Sequence, residues 1–109
     1  METVAMETAT VAVNVCGGWS ATMQATEEIQ AKCDQFKHVI EAAENKTFKV
    51  FKAVAHRYQV VNGINYIVKI FVGQDLFFHV MFVEELRANG GLSLTSVIRK
   101  KDEDPLVPV

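Results

Sequence analysis

The stretch Gln59-Val60-Val61-Asn62-Gly63 constrains this chain more than any other, because it joins two strand-like segments at a point where the chain must reverse. Thr47 to Tyr58, ahead of it, is rich in β-branched and aromatic residues. Behind it, Ile64, Tyr66, Val68, Ile70 and Val72 alternate cleanly on one face. Asn-Gly between such runs predicts a hairpin with a primed turn, since both residues tolerate positive φ. Val60 and Val61 stand just ahead of that turn. A tight turn has no core to hide them in, so one or both are expected in solvent, as a surface meant for burial in a partner.

The rest of the chain gives this hairpin a context. Thr22 to Glu44 predicts one long helix, with Ile29, Cys33, Phe36, Ile40 and Ala43 forming a single apolar stripe. Thr26 or Thr22 caps its start, Glu27 and Glu28 favour the positive end of the dipole, and Asn45 stops it. The period then changes from helical to two. Phe48 and Val50 share one phase and Phe51, Ala53 and Ala55 the other, which predicts a β-bulge near Val50 and Phe51. Ile64 to Val72 is the second strand, ending at the turn Gly73-Gln74-Asp75. Leu76 to Glu85 is a third, apolar on both faces. A loop from Leu86 to Gly91 leads into a last strand, Leu92 to Lys100, and Asp102 to Pro105 marks a solvated tail. A fifth short strand is expected from the arm before Gly17. One helix followed by such strands must bury its stripe against one sheet face. The expected fold is α+β, an antiparallel sheet of four to five strands wrapped around one long helix.

Composition narrows the function classes. The 109 residues suffice for one domain, and half of them are hydrophobic. The 11 basic and 13 acidic residues leave a net charge of −2 and are well mixed, which argues against nucleic acid and against a basic membrane patch. Met1 to Val15 has no basic n-region or hydrophobic block, so the sequence predicts a cytoplasmic protein. Met-Glu-Thr occurs at Met1 and again at Met6, so residues 1–12 are read as a flexible extension and 13–109 as a single domain. Cys16 and Cys33 are too few for a disulfide framework. Neither they nor His38, His56 and His79 show metal-ligand spacing, and no cofactor is implied. Nothing orients Cys16 and a histidine as nucleophile and base, so no enzyme is expected. Cys33 on the stripe reads as a buried small hydrophobe, Trp19 as a residue packed on its own domain, and Phe77-Phe78 as core on two sheet faces.

A glycine near the start, a helix, and then Gln-Val-Val-x-Gly in the first hairpin resemble the cystatins, and the cytosolic stefin branch in particular. Cys16-Gly17, Glu44-Asn45-Lys46, Val50-Phe51-Lys52-Ala53-Val54, Asn65-Tyr66 and Val72-Gly73 are also similar to stefin positions. The resemblance implies a cystatin-like fold and a reversible, tight-binding competitive inhibitor of papain-like cysteine proteases, lysosomal cathepsins among them. It further implies three binding elements on one wedge edge: a trunk at Val15, Cys16 and Gly17, the hairpin Gln59, Val60, Val61, Asn62 and Gly63, and a second loop at Leu86 and Arg87. A monomer is expected, and strain held at the first hairpin for function predicts its slow opening into a domain-swapped dimer on mild heating, an idea the resemblance supports. Three features depart from the stefin pattern. Asn62 stands for the usual alanine, Leu86-Arg87 for the usual Leu-Pro, and the arm before Cys16 is longer. A non-inhibitory interaction module on the same fold is the alternative at this stage.

Overall fold

The computed structural model describes residues 18–86 and 90–109. Its elements in chain order are β1 (Met23–Gln24), α1 (Glu27–Asp34), α2 (Lys37–Glu44), β2 (Lys52–Val61), β3 (Gly63–Phe71), β4 (Phe77–Glu84) and β5 (Leu92–Lys100). Among the described residues these strands form one antiparallel sheet in the order β1-β2-β3-β4-β5. The expected α+β architecture is therefore present. No helix among the described residues is long and apolar enough to cross a membrane.

The expected helix differs in two respects. Residues 23–24 pair with Ala55 and His56 as an edge strand, so helix begins only at Glu27. Thr26 is extended and its hydroxyl accepts from Ile29 N–H, which satisfies one of the free donors of the first turn. At Gln35 and Phe36 the backbone tightens to i→i−3 bonds, from Gln35 N to Lys32 O and from Phe36 N to Cys33 O. That tight turn separates α1 from α2 where the Phe36 ring packs on Phe82, 5.3 Å between centroids. The stripe survives it, since Ile29, Cys33, Phe36 and Ile40 are all buried. Ala43 is exposed and is not part of it. Asn45 ends α2 in the left-handed region at φ 56°, as its short polar side chain allows.

The bulge also lies elsewhere. Residues 47–51 lie outside the strands, and β2 starts at Lys52. Register shifts between Ala53 and Ala55, which makes Val54 the extra residue. Phe48 is buried and stacks with Phe51, so the change of phase around Phe51 reflected linker packing rather than a ladder defect. Beyond Val54 the phase is fixed: His56, Tyr58 and Val60 oppose Val68, Tyr66 and Ile64 on the helix side.

The core sits between the helices and this inner sheet face. Tyr66, Val68, Ile70 and Val72 from β3 and its end join Phe78, Val80 and Phe82 from β4. The outer face carries a smaller cluster of Ile67, Met81 and Leu106, with Trp19 and Ala55 packed against it. The tail is thus not wholly solvated. Its turn at 102–104 brings Asp102 to Lys69 at 2.8 Å, and Arg57 Nη1 donates to Leu106 O at 2.7 Å. Leu106 then covers apolar surface that the sheet would otherwise expose. The short strand expected before Gly17 lies outside the described residues; the edge strand observed is β1.

Candidate functional site

One end of the sheet gathers the β2–β3 hairpin, the segment after β4, and the chain around Gly18. The hairpin forms where it was expected, but not around a primed Asn-Gly pair. Pairing continues to Val61 opposite Gly63, leaving Asn62 alone at the tip. Only Gly63 takes a positive φ, +133°, a region that side chains disfavour. Gly63 has a second reason to lack a side chain. A Cβ there would lie 2.9 Å from the backbone oxygen of Glu84. The first hairpin therefore rests directly on the strand end that launches the second loop.

Val60 and Val61 are 45% and 43% exposed, and Leu86 is 68% exposed. Apolar side chains at a tip flanked by paired strands make a narrow, prominent hydrophobic edge. The hairpin is braced below the tip, where Asn65 Nδ2 donates to Gln59 Oε1 at 2.7 Å. The chain entering the domain is tied to the same strand. Trp19 bridges Gln59, Ser20 N–H donates to Tyr58 O at 2.8 Å, and Tyr58 N–H donates to Ser20 Oγ at 3.0 Å. Arg57 Nε fixes Ser20 O at 2.9 Å. These bonds deliver residue 18 beside the hairpin. The second loop is closed by Glu85 N–H donating to Gly91 O at 3.0 Å.

Of the expected site residues, the structure brings Gln59, Val60, Val61, Asn62, Gly63 and Leu86 to this edge. Val15, Cys16, Gly17 and Arg87 lie outside the described residues. Sequence reasoning missed Ser20 and Arg57 as ties for the trunk, and it missed Glu84 beneath the second loop. Ser20 is tied by one backbone bond, by its own hydroxyl and by the Arg57 guanidinium, contacts across more than 35 residues that no local spacing marks.

Cys33, His56 and His79 are buried titratable groups with shifted pKa values. Cys33 is 0% exposed and its thiol is pushed up to about 12, by burial first and then by Asp34, so it stays protonated. Burial lowers the pKa of His56 and His79. Among the described residues, no group of three or more His, Cys, Asp or Glu side chains could hold a metal ion.

Comparison with known proteins places the chain among its relatives. The family model of the cystatin domain matches residues 17–90. The chain is 51% identical to Stefin-C of Bos taurus over 81 residues, covering 73% of this chain and 80% of that protein. It is 46% identical to Cystatin-B of Bos taurus over 83 residues, covering 75% and 85%. With Cystatin-B of Paralichthys olivaceus it shares 40% identity over 94 residues, covering 84% and 96%. The chain belongs to the cystatin family, in its stefin branch. Its function is the inhibition of cysteine proteases.

Proposed function

We propose that inhibition is tight, reversible and competitive, and that it works by insertion of the apolar edge into the groove of papain-like enzymes, lysosomal cathepsins among them. The observation that carries this reading is the pair Val60 and Val61, held exposed at a braced hairpin tip, with Leu86 exposed just past the end of the neighbouring strand β4. Full burial of each valine is worth ~1.5–3 kcal/mol. Because the tip is already paired, little conformational entropy is lost on docking, and that preorganisation raises affinity. A groove filled this way offers the thiolate no peptide bond placed for attack, so the chain blocks the enzyme without being turned over.

The trunk completes the edge in this proposal. Val15 and Cys16 enter the subsites on one side of the thiolate, and Gly17 lets the backbone lie against the groove wall. Gln59, Asn62 and Gly63 present backbone and side-chain polar groups to the rim, and Leu86 and Arg87 occupy the far side. Residues 13–109 form the inhibitory unit, with 1–12 as an extension ahead of it. The active species is a cytoplasmic monomer. Opening of the first hairpin would convert it to a domain-swapped dimer that no longer presents the tip.

Titration against papain tests the proposal. Stoichiometric loss of activity with a nanomolar or lower dissociation constant is expected, and Val60→Asp with Val61→Asp should remove it. Full papain activity at micromolar inhibitor would overturn it.

A further inference from the structure

Glu84 is the last residue of β4, and Glu85 and Leu86 follow it directly. Its side chain is only 23% exposed, yet it carries a charge and is held from two elements. Oε2 accepts from Lys32 Nζ on α1 at 3.1 Å, and Oε1 accepts from the Tyr66 hydroxyl on β3 at 3.0 Å. The Lys32 side chain is itself only 16% exposed. Tyr66 is fixed in turn by its ring, which stacks on Phe82 at 5.0 Å. Burial and then Glu84 raise the Tyr66 pKa, so its hydroxyl remains a donor. The backbone of Glu84 pairs with Ile64 and Leu92, and its oxygen is the atom against which Gly63 lies.

Removing two opposite charges from water is costly, and apolar side chains in their place often stabilise a fold equally well. Stability alone therefore gives no reason for Lys32 and Glu84. Hydrogen bonds differ from apolar packing in fixing distance and direction within narrow limits. One residue here fixes the distance between a helix, the tip of the first hairpin and the start of the second loop. We propose that Glu84, clamped by Lys32 and Tyr66, is a positioning residue that sets Leu86 relative to the Gln59–Gly63 tip, so that Leu86 and the tip meet the protease as one preformed surface. The proposal rests on the reading that those loops fill the groove.

Association and dissociation rates with papain test it. Lys32→Met strands the carboxylate of Glu84, and the dissociation constant should rise about tenfold, through faster dissociation, with the far-ultraviolet circular dichroism unchanged. Adding Glu84→Gln removes the stranded charge while Gln still accepts from Tyr66, and affinity should return to within about threefold of the native chain. Leu86→Ala should weaken the native inhibitor but cost little in the Lys32→Met background. Val60→Ala should cost the same in both. A general loss of structure would instead add equally to every variant. An unchanged dissociation rate in Lys32→Met overturns the proposal, as does a Leu86→Ala cost that is equal in the two backgrounds or absent from the native chain. Should Lys32→Met not fold, Tyr66→Phe removes only the hydroxyl, and native dissociation kinetics in that variant would overturn the proposal as well. Full inhibition by Val60→Asp with Val61→Asp would refute the groove reading itself, a result distinct from all of these.

Discussion

Two glycine-related features carry much of the site at the scale of single residues. Gly63 is constrained twice, by φ +133° and by the oxygen of Glu84 where a Cβ would stand. Asn62, the residue that replaces the usual stefin alanine, has no such constraint, since it does not take a positive φ. Gly63→Ala is therefore expected to destabilise the fold by at least ~2 kcal/mol, because strain in φ and a backbone collision act together. Asn62→Ala should stay within ~0.5 kcal/mol of the native chain. Urea unfolding midpoints of the two variants check this, and equal midpoints would show that the tip is free to rearrange. The sequence marked both residues as turn formers. It could not rank them, because the colliding atom belongs to a residue 21 positions further along the chain.

At the scale of elements, residues 18–20 are joined to the hairpin by backbone pairing, reinforced by the Ser20 hydroxyl and the Arg57 guanidinium. Ser20 and Trp19 pair with Tyr58 and Gln59, so Gly18 lies beside the hairpin. Deleting Met1 to Thr10 should leave papain inhibition nearly unchanged, while deleting Met1 to Gly17 should weaken it clearly. The first segment is the near-duplicated part of the arm, and the second deletion takes the residues adjacent to the bridge. Dissociation constants for the two truncations decide the matter, and equal values would mean that the trunk has been placed wrongly. Element boundaries were less legible than element order. The predicted helix lost its first residues to β1 because an unpaired β2 edge accepts a partner there, an interaction that helical periodicity does not register.

Stability of the whole molecule should depend on two buried histidines on opposite sheet faces. His56 faces the core side, with the backbone of Gln24 beside it, and His79 lies on the outer face with Lys69, Lys100 and Asp104 around it. Burial lowers both pKa values from 6.5, and for His79 the two lysines lower it further against a smaller opposing effect of Asp104. The folded chain thus binds protons less readily than the unfolded chain. By linkage, stability is full above pH 6.5 and is lost as pH falls through that value towards the folded-state pKa values. Thermal midpoints measured from pH 7.5 down to 5 should decline, and His79→Leu should flatten the decline. A pH-independent midpoint in the native chain would contradict this account of both histidines.

Local chemistry alone determined the order of helix and strands, the phase of β3, the Thr26 and Asn45 caps and the exposure of Val60 and Val61. Each of these depends on neighbours within a few residues, where side-chain period and turn chemistry operate. Tertiary structure decided the rest: the tight turn at Phe36, the bulge at Val54, the packing of Leu106 on the outer face, and the contact between Gly63 and Glu84. Those features arise where segments far apart in sequence compete for the same space or the same hydrogen bond. Lys32 and Glu84 show the difference most plainly, since 52 residues separate them and only the wrapping of helix on sheet brings ammonium and carboxylate to 3.1 Å.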